Sequence, residues 1–201
     1  MAGRVAIGLR AHSGWAATVT VGGTPRHPAV IDRRRIELAS EAVPRPVQPY
    51  HASEGLALSK AEKIVGRAVE DAHRFGERDL GALVRVLRSS GHEIAGCALL
   101  SGSGRALPSL ANTLASHALI HAAEGEMFRE ALRYAASRVG LAVFEVREKE
   151  TFTAGAREVG LAEPELRRRL AALGRAIGPP WAADQKLAAA AAWIALAAEE
   201  I

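Results

Sequence analysis

The chain has 201 residues, 26 Lys and Arg against 22 Asp and Glu, and 49% hydrophobic residues, a balance that supports one well-buried domain and excludes disorder as the main state. Its longest strongly apolar stretch, Leu187 to Ala198, spans 12 residues and is mostly alanine, short of the roughly 20 that a membrane-spanning helix needs, so no membrane passage is expected. A lone Cys97 leaves neither an internal disulfide nor a cysteine-based zinc site, and an N-terminus without an apolar core or cleavage site points to a cytoplasmic protein.

In chain order, Arg4 to Ala11 alternates and carries β-branched residues, and after a His12-Ser13-Gly14 turn Trp15 to Val21 reads as a second strand. Gly22-Gly23-Thr24-Pro25 is a turn cluster, and Ala29 to Leu38 resumes alternation as a third strand, giving an antiparallel meander. Residues 40 to 56 hold Pro44, Pro46 and Pro49, which remove amide donors, and read as a Pro-rich surface connection. From Ser59 the pattern turns helical, with Gly76 and Gly81 as candidate breaks and Gly91 as a stop. Ile94 to Leu100 reads as a buried strand followed by a Ser101-Gly102-Ser103-Gly104 loop. One long helix is predicted over Ser109 to Arg138, closed by Gly140, then a buried strand over Leu141 to Val146. Two helices follow, Glu163 to Ile177 and Ala182 to Glu199, separated by Gly178-Pro179-Pro180.

Charge is concentrated at the front. Residues 1 to 50 carry seven arginines (Arg4, Arg10, Arg26, Arg33, Arg34, Arg35, Arg45) against three acids (Asp32, Glu37, Glu41), and the remainder balances at 19 against 19. Such a surplus attracts polyanions, because neutralised phosphates release counterions. It also serves simply to protect a strand edge. Arg33 and Arg35 fall on one face of their strand and Arg34 on the other.

The order β-β-β-α-β-α-β-α-α predicts an α/β domain over residues 1–201 with the ribonuclease H-like arrangement, a mixed sheet with helices on both faces. Within that fold, Ile7 to Ala17 (IGLRAHSGWAA), Leu141 to Val146 (LAVFEV) and Gly178 to Ala189 (GPPWAADQKLAA) resemble their counterparts in RuvC-type Holliday junction resolvases. The resemblance implies a nuclease in which several carboxylates hold two Mg²⁺ ions, hard cations that stabilise the attacking and leaving oxygens of a phosphodiester. It places the first carboxylate near the end of the first strand, where this chain has Arg10, Ala11 and His12; the first acid of the chain is Asp32. It places a second on the strand Ile94 to Leu100, which contains none, Glu93 lying just before it. Only Asp184 stands where the family has an acidic ligand. The expectation is therefore a resolvase-like domain without most of the catalytic carboxylates, a binding protein for nucleic acid or another partner, with His12 and Asp184 as candidate catalytic residues and Arg10, His12, Ser13, Arg33 and Arg35 as candidate anion-binding residues.

A second constellation supports a different class. On the helix begun at Ser109, His117, His121 and Glu124 stand at i, i+4 and i+7 and share one face, together with Leu110, Leu114 and Phe128, so they are expected to look inward. Imidazoles one turn apart with a carboxylate can hold a divalent transition metal, which makes a metal-dependent hydrolase or nuclease with a His/His/Glu site, completed by His12 or Asp184, the alternative. Hydrogen-bonded structural histidines satisfy the same pattern. At His12-Ser13 an anion site and an ordinary hairpin turn are both open. Ser101 to Gly104 lacks the lysine of a phosphate loop. Cys97 reads as inert packing. A homo-oligomer joined through the alanine-rich last helix completes the set of readings.

Overall fold

Along Arg4–His12 (β1), Val5, Ile7 and Leu9 face one hydrophobic layer while Ala6, in the opposite register, faces the other, so the central strand is apolar on both sides. β1 pairs antiparallel with Trp15–Gly23 (β2), which pairs antiparallel with Pro28–Glu37 (β3). On its other side β1 pairs parallel with Glu93–Ser101 (β4), which pairs parallel with Val143–Arg147 (β5). The resulting five-stranded mixed sheet has the order β3-β2-β1-β4-β5. The computed structural model describes residues 3–40, 45, 47–102, 104 and 106–198.

Leu58–Ser89 (α1) and His117–Arg138 (α3) cover one face, burying Leu80, Leu83, Phe128 and Leu132 against Ile7 and Leu9. Ala183–Ala197 (α6) covers the other, flanked by Thr151–Glu158 (α4) and Glu163–Ile177 (α5), with Trp193 and Leu166 packed among Val19, Val21 and Ala98. This is the ribonuclease H-like α/β arrangement expected from the sequence. No helix among the described residues is long and apolar enough to cross a membrane.

Several details differ from the sequence reading. Gly76 and Gly81 do not divide α1; a methyl at Gly76 would stand 3.3 Å from the Ala131 carbonyl oxygen and 3.4 Å from Ala135 Cβ, so this glycine lets α1 cross closely over α3. The helix predicted over Ser109 to Arg138 is two, Leu110–Leu114 (α2) and α3, because the backbone is extended at Ser116 (φ −139°, ψ 115°). The eight-residue α4, with a glycine inside it, has too little periodicity to be read from sequence. The last helix is not an exposed oligomer surface: Ala188 to Ala197 are all buried within the chain. Of the Pro-rich connection, residues 41–44 and 46, which include Pro44 and Pro46, lie outside the described residues, as do Ser103 and Glu199. Its later part forms a short 3₁₀ turn, His51–Ser53, with Ser53 buried and its hydroxyl donating to the Pro49 carbonyl (2.7 Å).

β1 and α6 approach each other closely at Gly8, where a methyl would stand 1.8 Å from the Ala188 carbonyl oxygen and 2.8 Å from the Ala192 nitrogen. Gly8→Ala is therefore expected to destabilise the protein by about 3 kcal/mol or more. Gly66→Ala, on the exposed side of α1 with nothing within 4 Å, is expected to gain about 0.5 to 1 kcal/mol. Urea denaturation measures both; equal effects would contradict the packing at Gly8. Burial in β4 pushes the Cys97 thiol up to about 12, so the neutral form persists and iodoacetamide at pH 8 should leave the native protein unmodified and label it fully in denaturant.

Candidate functional site

Residues two apart on a strand share a face, so Arg10 and His12 both project from the C-terminal end of β1 toward the start of α6. Two carboxylates meet them there. Arg10 donates from Nε (3.2 Å) and Nη2 (2.7 Å) to Glu148, which follows β5 directly. It also donates from Nη1 to Asp184, in the first turn of α6. His12 Nε2 lies 2.9 Å from Arg10 Nη1 and 3.2 Å from Asp184. Burial works against the Arg10 charge, but Glu148 and Asp184 outweigh it and hold the guanidinium above its usual range. His12 and Asp184 are thus brought together as the sequence suggested, with a cation between the two acids.

The other candidates of this face have settled partners. Trp15, opposite His12 in the β1–β2 register, stacks on its ring with centroids 4.2 Å apart and planes within 8°. The Arg35 guanidinium lies 4.4 Å from the Trp15 centroid and pairs with Glu37. Arg33 donates to the carbonyls of Gly178 (2.7 Å), Pro180 (2.6 Å) and Pro179 (3.1 Å), tying β3 to the α5–α6 connection. Ser13 is exposed in the hairpin turn. Arg34, on the opposite face, pairs with Asp32.

Beside Glu148 a cleft of about 680 Å³ opens at the C-terminal ends of β4 and β5, bordered by Gly102, Arg129, Arg147, Lys149, Glu150 and Phe152. Open α/β sheets receive ligands at such strand ends. Arg129 is held from below by Glu126, which also accepts from Arg133, and Arg133 in turn reaches Glu145 on β5 (2.6 Å). Burial opposes the Glu126 charge, yet the hydrogen bonds from Arg133 and Arg129 prevail and keep its carboxyl below the usual range.

A separate cluster gathers at the start of α3. His117 and His121 do come together, their Nε2 atoms 3.1 Å apart, but they do not look inward: both are exposed. At about 100° per residue the two histidines share the angular face of the buried Glu124 and Phe128, so their exposure comes from their place in the first turns of α3 and not from the face they occupy. Glu124 is buried (4% exposed) and does not stand with them as a third donor. Its Oε1 instead accepts from the His51 backbone nitrogen (3.2 Å) and lies 2.9 Å from His51 Nδ1. Burial first, and then the Glu124 charge, push the neighbouring Tyr50 phenol up. The ring atoms that converge are those of His51, His117 and His121, all within 4.8 Å of one another. His12 and Asp184 belong to the Arg10 cluster and not to this one.

Sequence reasoning missed Glu148 and His51. Glu148 carried one usable signal, its place just past a strand that ends at the edge of the sheet where open α/β sheets receive ligands. His51 carried none, since a proline-rich approach conceals a turn that folds back on α3.

No family model matches the sequence, and no curated protein matches it. Among solved structures the chain is similar to Thermus thermophilus RuvC, with a TM-score of 0.55 and 15% identity over 98% of this chain and 96% of that one. It is likewise similar to T. thermophilus RuvC in complex with a Holliday junction substrate, with a TM-score of 0.52, 15% identity and the same coverage. The chain has the fold of these resolvases.

Arg10 is 19% exposed and Glu148 41%, so solvent screens part of the interaction. Arg10→Met is expected to cost about 1 to 2 kcal/mol in urea denaturation, because it leaves two neighbouring carboxylates without their shared cation. Adding Glu148→Gln and Asp184→Asn to that variant should restore most of the loss. Independent, additive losses would show that the three side chains do not act as a unit.

Proposed function

We propose that residues 1–201 act as one resolvase-fold domain that binds nucleic acid and does not use two-metal hydrolysis, with the cleft bounded by Arg129, Arg147 and Lys149 as its phosphate-binding surface. The observation that carries this reading is the Arg10 guanidinium set between Glu148 and Asp184. A divalent ion there would need those carboxylates as inner ligands, and both already accept from a fixed cation. At a separation of 4 Å and an effective dielectric of 20, repulsion amounts to about 4 kcal/mol per unit charge on the ion. The residues present therefore do not fit the metal pair that the family resemblance implies, and no hydrolytic step is derived through one.

The cleft suits phosphate instead. Its cations stand at the C-terminal strand ends, Arg147 and Lys149 flank Glu148, and Arg10 partly offsets the Glu148 charge; Arg129 and Arg147 are shared with Glu126 and Glu150, and Lys149 completes the set. The arginine-rich front supports the reading less than its count suggests, because Arg10, Arg34 and Arg35 are each paired with acids. The neighbouring fold in T. thermophilus is seen with a Holliday junction, which makes branched DNA a necessary probe beside duplex and single strand.

Fluorescence anisotropy against duplex, single-stranded and four-way-junction DNA, with Mg²⁺ and then with chelator, tests the proposal. Binding at low salt should weaken linearly in log–log form as salt rises, without strand cleavage in either condition. Arg147→Glu with Lys149→Glu should reduce affinity at least tenfold and make the salt slope shallower by roughly two contacts. The absence of low-salt affinity, unchanged binding in the double variant, or Mg²⁺-dependent cleavage that Asp184→Asn abolishes would each overturn it.

A further inference from the structure

We infer that His51, His117 and His121 form a binding site for a single divalent transition ion of the zinc class, in which Glu124 positions one of the ligands. The three rings surround a common point: centroids lie 4.6 Å apart for His51–His121 and for His117–His121, and 5.2 Å apart for His51–His117, with interplanar angles of 66°, 85° and 80°. The rings meet edge to face and are not stacked, and one nitrogen of each lies within 4.8 Å of the others.

The distances suit the ion. Four-coordinate zinc with Zn–N bonds of about 2.0 to 2.1 Å spaces its nitrogen donors roughly 3.3 Å apart. His117 and His121 already stand at 3.1 Å, and the remaining donor has to close by at most about 1.5 Å from the 4.8 Å limit of the cluster. An all-nitrogen set selects Zn²⁺, Co²⁺ or Ni²⁺ and disfavours Mg²⁺ and Ca²⁺, which require oxygen.

Glu124 gives the cluster an outer partner of the kind metal-binding histidines have. With a buried carboxylate oxygen 2.9 Å from Nδ1, the His51 ring keeps its proton on that nitrogen, which leaves Nε2 as the nitrogen with a lone pair for a metal ion. The same oxygen accepts from the His51 backbone nitrogen, so the turn and the ring are fixed together. His117 and His121 are exposed, which leaves the fourth coordination position facing solvent, open to water or an anion. This inference is independent of the DNA-binding reading, and either can fail alone.

Tag-free, chelator-treated full-length protein titrated with Zn²⁺ by calorimetry should bind one equivalent at micromolar or tighter affinity, with a higher melting temperature in its presence and no response to Mg²⁺. Co²⁺ should give the visible absorption of a four-coordinate ion. His117→Ala with His121→Ala, two exposed positions that folding tolerates, should weaken binding at least 100-fold, and Glu124→Gln by about 10- to 100-fold. Failure of the wild-type protein to bind stoichiometrically, or full affinity retained in the double histidine variant, overturns the inference. Full affinity in a His51→Ala variant that circular dichroism shows to be folded overturns it as well.

Discussion

Between Gly8 and the backbone of Ala188 and Ala192 there is no room even for a methyl group, and that contact sets the position of everything on this side of the sheet. Alanine is what allows it: an α6 with larger residues facing β1 would ride farther from the sheet, and its largest buried side chain, Trp193, is anchored by donating to the Pro25 carbonyl (2.9 Å). With Ala188 fixed over Gly8, the spacings along helix and strand match. Four helical residues back to Asp184 cover about 6 Å, and two strand residues forward to Arg10 cover about 6.6 Å. Asp184 and Arg10 therefore meet because a glycine and an alanine two and four residues away are in contact.

That placement determines the electrostatics of the sheet end. Two carboxylates near each other repel unless a cation stands between them. A metal ion can dissociate and be exchanged; a guanidinium is tethered to β1 and keeps its charge throughout the accessible pH range. Arg10 thus gives Glu148 and Asp184 a permanent partner, and His12 is held against the same group by its stack on Trp15. A cluster built this way is suited to keeping a fixed shape beside the cleft formed by Arg129, Arg147 and Lys149.

The sheet and most helices were legible because their signal is local. Period-two alternation marked β1, β2 and β3, apolar runs marked β4 and β5, three- and four-residue spacing marked α1, and the breaks at Gly140 and Gly178-Pro179-Pro180 marked the ends of α3 and α5 and the start of α6. What the sequence concealed is non-local. Glu148 lies 138 positions from Arg10, and no pattern in either segment signals the other. The charge surplus of the first fifty residues overstated the free charge, since a count along the chain cannot register that Arg10, Arg34 and Arg35 find acids in space. The histidine pair was found by its spacing, yet its burial was misread, because the extended backbone at Ser116 makes the two histidines the first turns of a new helix instead of the middle of a long one.

The alternation of β1 also explains how two unrelated clusters coexist. Arg10 and His12 project to the α6 side, whereas Val5, Ile7 and Leu9 project to the side of α1 and α3. α3 carries Glu124 and the two histidines on that second side. A buried carboxylate without donors would cost several kcal/mol, and among the described residues both donors to Glu124 come from His51. The segment before α1 is consequently drawn onto α3 by the need to satisfy one acid, and the ring that satisfies it is the one that brings a third imidazole to His117 and His121. Folding and ligand chemistry share this carboxylate: the interaction that anchors the turn also sets which nitrogen of His51 carries the proton and which keeps a lone pair.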